Sequence, residues 1–230
     1  MGTRSKLLVA LAVGAGAGAA VLGCYAFVVK SQAESLLRDL SALKVGISTG
    51  VEARQFEQRH KRLLFQVSND CNDDNCSRIL TVQNRWLSAL RLEPAAGFVA
   101  NVSVKNGRVD EIGAYLYRSM PIYPTFDASA GMVDEYAQYP PHLSDHEHYE
   151  FPTPVGKPYL RIRLDSHASA EQRRNAFAFS FRCLVKPGWG CDLPCDYLPS
   201  AWQDWKVHLQ DVGFLDLFNK YYPKSARCGP

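Results

Sequence analysis

Residues Leu7–Val29 run for 23 positions without one charged side chain. About 20 apolar residues in a helix suffice to cross a hydrocarbon core of about 30 Å. Arg4 and Lys6 precede the run and Lys30 ends it. No other stretch constrains the chain as strongly, because so apolar a segment must leave water. Three readings compete: a cleaved signal peptide, a lipoprotein signal ending at "VLGC" (Val21–Cys24), and an uncleaved anchor. Leu22 stands where a lipobox usually has a smaller residue, and the apolar run continues past Cys24 as "YAFVV". A signal-peptide core is typically about 7–15 residues, shorter than this run. Length therefore favours an uncleaved transmembrane anchor over 7–29, with residues 1–6 as a cytoplasmic stub. Arg4 and Lys6 outweigh Lys30, so the positive-inside rule sends the larger part of the chain out of the cytoplasm. The expected location is the cytoplasmic (inner) membrane, single-pass, with a C-terminal domain that is periplasmic if the source is bacterial.

Within the run, Gly14 and Gly18 make a G-x-x-x-G motif. Small residues at this spacing let two membrane helices approach closely, which points to a homodimer through the anchor. The competing reading is an ordinary Ala/Gly-rich span.

The net charge of +3 comes from Arg4, Lys6 and Lys30 alone, leaving 23 basic and 23 acidic residues beyond them. A neutral ectodomain lacks the electrostatic footprint of a nucleic-acid binder. Its partners are expected to be the membrane and another protein of the envelope.

Six of the seven cysteines lie outside the anchor: Cys71, Cys76, Cys183, Cys191, Cys195 and Cys228. An even number in an oxidising compartment reads as disulfides, and six cysteines permit 15 pairings. "CNDDNC" (Cys71–Cys76) invites sharper readings. Asp70, Asn72 and Asp74 occupy the first, third and fifth positions of a calcium loop. The pattern then fails, because Asn75 replaces the turn glycine and Thr81 the bidentate glutamate. A redox dithiol usually has closer spacing and a depressed thiol pKa, which Asp70, Asp73 and Asp74 oppose. The hexapeptide reads as a covalently closed turn with Asn and Asp as turn formers.

Along the rest of the chain, Leu36, Leu37, Leu40 and Leu43 fall at helical spacing, predicting a juxtamembrane helix over 30–46 that Gly46 ends. A second helix is expected from Ser48 or Thr49, with Val51, Phe56 and Leu63 inward. "LLFQVS" and "SRILTVQN" read as strands, and "NRWLSALRL" as a helical turn with Trp86, Leu87 and Leu90 inward. The alternating run from Phe98 to Tyr117 is broken by Asn106-Gly107, a type I′ hairpin signal. Seven of thirteen prolines fall within 119–158, together with Tyr123, Tyr136, Tyr139 and Tyr149. This predicts a long irregular segment. "YLRIRLDS" is an alternating strand. "SAEQRRNAFAFSFRCLVKPG" opens with a capping box, Ser169 and Gln172, and reads as one helix ended by Pro187-Gly188. The tail predicts two short helices carrying Trp202, Trp205, Leu209, Leu215 and Phe218. The fold class is α+β: an N-terminal transmembrane helix, then an ectodomain over 47–230 with an antiparallel sheet packed on helices.

Candidate chemistry is sparse. His142, His146 and His148 lie among Asp145, Glu147 and Glu150. His146 and His148 would share a strand face, and His142 and His146 a helix face. Either pair could begin a metal site, but neither geometry brings a clear third ligand. A solvated polar loop between prolines is the plainer account. "SALK" (Ser41–Lys44) has S-x-x-K spacing without its K-T-G companion and reads as chance. No H-E-x-x-H, Walker or G-x-G-x-x-G fingerprint occurs. No cofactor is expected.

"LKVGISTGVEARQF" followed by "VSVKNGRVDEI" resembles the small outer-membrane assembly lipoproteins of the SmpA/OmlA type. Gly46, Ser48 and Glu52 stand at the helix start, and Gly107, Val109 and Ile112 at the strand. The resemblance covers residues 36–117 and implies a non-enzymatic α+β envelope domain. The whole pattern also resembles bacterial single-pass membrane-anchored proteins. The functional expectation is a membrane-anchored envelope protein that binds or scaffolds another envelope component. The alternative is a membrane-tethered enzyme or metal-binding protein using the His-rich loop 142–150.

Overall fold

Helix α1 (Thr3–Ser41) is a single element of 39 residues. A computed structural model of the chain describes residues 3–89, 96–118, 129–137, 147–150, 160–185, 191, 193–211 and 228. The apolar run and the juxtamembrane leucines therefore form one helix, which is long and apolar enough to cross a membrane. It ends five residues before Gly46, which lies in the following turn with a φ of +75°. Residues 12–21 are exposed, whereas Val29, Ala33, Leu36 and Leu40 are buried. Their spacing of four, three and four places them on one face of the helix, which packs in the core of the folded part. Leu22, Tyr25 and Ala26 are already half-buried. The folded part thus takes hold of the helix before the apolar run is finished.

Thr49 caps α2 (Gly50–Arg59): its Oγ1 accepts from the Glu52 N–H at 3.3 Å, and Glu52 Oε2 accepts from the Thr49 N–H at 2.6 Å. This reciprocal pairing satisfies two donors the helix start would otherwise leave open. Ala53 and Phe56 are buried, but Val51 is 51% exposed, because α2 is only ten residues long and turns one narrow face inward. Leu63, in a 3₁₀ turn after α2, is half-buried.

Strands β1 (Leu64–Val67), β2 (Cys76–Gln83), β3 (Ala96–Lys105), β4 (Arg108–Arg118), β5 (Ser129–Tyr136), β6 (Glu147–Glu150) and β7 (Leu160–Asp165) form one sheet. Its order is β1-β2-β3-β4-β5-β7-β6. The sheet is mixed rather than antiparallel throughout. β6 takes the edge and β7 inserts between it and β5, so β5 and β7 run parallel. Asn106 (φ 52°) and Gly107 (φ 74°) make the tight turn of the β3–β4 hairpin. One face of the sheet carries Leu80, Phe98, Ala100, Val102, Ile112, Leu116, Val133, Ile162 and Leu164, all fully buried against the helices. α3 (Arg85–Ala89) follows β2, and its Trp86 is 65% exposed, not inward.

Two strands, β5 and β6, lie within 119–158, which the prolines predict to be irregular. The seven prolines themselves lie outside the described residues.

The single helix expected over 169–186 is two: α4 (Ala170–Ala176), capped by Ser169 and Gln172, and α5 (Arg182–Val185). Between them the chain leaves the helix at Phe177. Phe179 and Phe181 then both reach Phe98, with ring centroids at 5.6 and 4.9 Å in edge-on geometry. A continuous helix would turn Phe179 and Phe181 to different faces; aromatic packing on the sheet outweighs helix propensity here. α6 (Pro194–Tyr197) and α7 (Pro199–Asp211) close the fold, with Trp202 and Trp205 buried. Leu215 and Phe218 lie outside the described residues.

The cysteines fall into three pairs at disulfide distance: Cys71–Cys76, Cys183–Cys191 and Cys195–Cys228, with Cα separations of 4.4, 5.6 and 5.8 Å. Cys24 is free and exposed. The Cys71–Cys76 loop packs on the hairpin turn, where Gly107 N–H donates to Asp74 O at 2.9 Å. It also packs on the start of α2, where Arg54 pairs with Asp73 and a Cβ on Gly50 would overlap the Asp73 carbonyl.

Two stability predictions follow from this stapling. Gly50→Ala must push the loop away and should cost about 1–3 kcal/mol, read by denaturant unfolding. An unchanged midpoint would contradict the contact. Loop-closure entropy assigns about 2 kcal/mol to the 5-residue bridge and about 4 to the 33-residue one. The Cys195→Ser/Cys228→Ser variant should therefore unfold at lower denaturant than Cys71→Ser/Cys76→Ser.

Candidate functional site

The C-terminal half of α1 and the α4–α5 segment enclose an open groove of about 570 Å³. Leu37, Phe177, Phe179 and Phe181 supply its apolar surface; Glu34, Arg38, Ser41, Arg173 and Arg174 surround them. Arg173 is the structural member. Its Nε donates to Glu135 Oε2 at 2.6 Å, Nη2 to Leu43 O at 2.7 Å and Nη1 to Ser41 O at 3.4 Å. It thereby meets carbonyls at and beyond the end of α1 and neutralises a carboxylate buried on β5. Burial pushes the Glu135 pKa up, and Arg173 opposes the shift. Arg38 and Arg174 are exposed, with loose ion pairs to Asp39 at 3.8 Å and Glu171 at 3.9 Å. Pairs this exposed contribute little. The groove therefore offers an aromatic floor and two solvent-facing guanidinium groups.

A second polar cluster lies on the sheet face opposite the helices. Asp134, fully buried, accepts from the Tyr115 hydroxyl at 2.7 Å and from Arg161 Nε at 2.9 Å. Gly113 makes room for it, since a Cβ there would lie 2.8 Å from Tyr115 Oη and 3.1 Å from Asp134 Oδ1. Burial, then Asp134, keep the Tyr115 phenol protonated. Burial also raises the Glu111 pKa, with Asp134 and Asp110 adding and Arg161 opposing. The Asp134 carboxylate is held from two sides by neighbours in the sheet. The sequence carried one faint signal for this cluster, the charged positions within otherwise alternating strands.

The residues singled out from the sequence are dispersed. Cys71 and Cys76 sit by the hairpin turn; Cys183, Cys191 and Cys195 lie in the helical layer. Cys183, Cys191 and Asp196 have ligand atoms within 4.8 Å of one another, but the two sulfurs are paired with each other and offer no thiolates. His142 and His146 lie outside the described residues, and His148 is in β6 opposite Arg163. Gly14 and Gly18 face open space.

One motif escaped the sequence reading. Gly46–Gly50 spells G-x-S-x-G, the nucleophile-elbow pattern. Here Ser48 lies in the turn before α2, not between a strand and a helix, and it is buried. Its Oγ accepts from the Lys44 N–H at 3.1 Å. It shapes a turn.

Comparison with protein-family models, with curated proteins and with solved structures returns no match.

Glu111 gives a pH test. A carboxyl whose folded pKa exceeds its unfolded value binds more protons when folded. Stability is therefore lost as pH rises from the ordinary value of 4.5 through the raised one. Glu111→Gln cannot ionise, so its melting temperature should fall less than the wild type's between about pH 4 and about pH 7. Equal falls would show that the group titrates normally.

Proposed function

We propose that this is a single-pass protein of the cytoplasmic membrane whose ectodomain, outside the cytoplasm and periplasmic in a bacterial envelope, binds another envelope component without catalysing a reaction. The observation that carries the reading is the continuity of α1. The helix that is apolar and exposed over residues 12–21 enters the protein core with no linker, and the same helix forms one wall of the groove. Twenty residues from Leu7 end at Ala26. At about 1.5 Å per residue, Glu34 to Ser41 then stand about 12–22 Å beyond the hydrocarbon edge. A rigid stem holds the groove at a set height, as suits a protein that positions a partner beside the membrane. The groove's phenylalanines and exposed arginines suit a protein segment with apolar anchors and acidic neighbours.

We also read residues 36–117 as related in arrangement to SmpA/OmlA-type domains. The two motifs behind that resemblance lie against each other: Gly46 N–H donates to Val109 O at 2.7 Å and Gly50 N–H to Gly107 O at 2.9 Å.

The test is site-specific photocrosslinking in native membranes. Probes at Ala170 and Phe179 should give a defined protein adduct that Arg38→Glu/Arg174→Glu weakens severalfold. A probe at Ile79, on the opposite sheet face, should give none. Adducts from Ile79 alone would place the partner elsewhere and sink the groove reading.

A further inference from the structure

The membrane anchor and the ectodomain touch at one level, and that level has a physical identity. Arg4 and Lys6 fix the inner end of the apolar run, so a core of about 30 Å ends near Ala26, or one residue later if the helix tilts by about 20°. Tyr25 lies at this boundary. Its hydroxyl accepts from the Trp86 N–H at 3.3 Å and donates to Gln83 O at 3.4 Å. The turn into α3 is therefore pinned to the helix at the outer edge of the hydrocarbon. The residues adjoining this contact along both segments are exposed and apolar: Trp86, whose backbone makes it, is 65% exposed, and Phe27 and Val28, which follow Tyr25 on α1, are 73% and 49% exposed. An indole, with an apolar body and a polar N–H, is enriched where one side is apolar and the other wet. Just beyond it are cations. Lys30 is one turn above Ala26, and Arg85, exposed, adjoins Trp86. Aromatic rings at the headgroup boundary with basic groups above them are the signature of an interfacial belt.

We propose that α3 rests in the outer-leaflet interface, with Trp86, Tyr25 and Phe27 forming one aromatic belt and Arg85 and Lys30 reaching the lipid headgroups. The ectodomain is then held at two points, the stem and the Trp86 foot, which fixes its rotation about α1 as well as its height. This rests on the anchor reading above, and the experiment separates the two.

Full-length protein is reconstituted in phosphatidylethanolamine/phosphatidylglycerol vesicles carrying chains brominated near either the carbonyl or the methyl end, and tryptophan emission is recorded. The wild type should be quenched more by the shallow bromines, and Trp86→Phe should lower that quenching at least about twofold. Adding Phe27→Trp to Trp86→Phe should restore it. Adding Val13→Trp to Trp86→Phe should give quenching strongest with the deep bromines. If Val13→Trp is quenched deeply but Trp86→Phe is quenched as the wild type is, the foot is overturned and the anchor stands. If Val13→Trp escapes both sets of bromines, the anchor reading fails and the foot with it.

Discussion

The burial of Val29, Ala33, Leu36 and Leu40 on a helix that begins as a membrane-length apolar run is the contact on which the rest of the architecture depends. A flexible linker after the apolar run would leave the folded part free to tumble. Here the tether and the core are the same element. Removing the apolar stripe would separate stem from sheet and also dissolve one wall of the groove. Arg173 secures the other end of this arrangement, tying the carbonyls of Ser41 and Leu43, at and just beyond the end of α1, to Glu135 on β5. Because Glu135 is buried, that guanidinium is committed to structure, whereas Arg38 and Arg174 beside it are exposed.

The two faces of the sheet divide the labour. The helix-covered face is apolar and is packed through the Phe98–Phe179–Phe181 cluster. The opposite face buries Asp134 beneath Tyr115 and Arg161 without a Cβ on Gly113 to obstruct it. A buried carboxylate held by a phenol and a guanidinium is costly to assemble and fixes register, since a one-residue slip would carry it to the apolar face. The parallel β5–β7 pair needs such a lock. Arg161 on β7 and Asp134 on β5 supply it across that junction.

How much of this was legible follows from how local each signal is. Asn106-Gly107, both at positive φ, and the capping boxes at Thr49–Glu52 and Ser169–Gln172 depend on neighbouring residues only, and the sequence declares them. The alternating strands carry their faces in their spacing. The break at Phe177 was hidden because its cause, Phe98, lies some eighty residues away. The outward Trp86 was hidden because the hydrophobicity of a residue in a five-residue helix does not say which way it faces. The parallel pair depends on β6 passing to the sheet edge, and the prolines between strands concealed the strands themselves. Arg173 and Asp134 looked like ordinary surface charges because their partners, Leu43, Glu135 and Arg161, are assembled only by the fold. The G-x-S-x-G string shows the reverse error a motif invites: the pattern is present, and the turn around Ser48 gives it another use.

The closed turn at Cys71–Cys76 belongs to the same logic. Its carboxylates serve the fold: Asp73 meets Arg54 of α2, while the Asp74 backbone carbonyl receives the Gly107 N–H of the hairpin. A short bridge removes few unfolded conformations, so its contribution lies less in global stability than in holding a polar loop over two backbone features that cannot move. Those features are the positive-φ turn of β3–β4 and the first turn of α2, and Gly50 leaves no side chain to keep the loop off them. That rigid end lies at the far end of the sheet strands from the contact between α3 and Tyr25. The folded part is thus stiffened at one end of its sheet and packed along α1 without a linker, so the groove between α1 and the α4–α5 segment keeps one orientation relative to that helix.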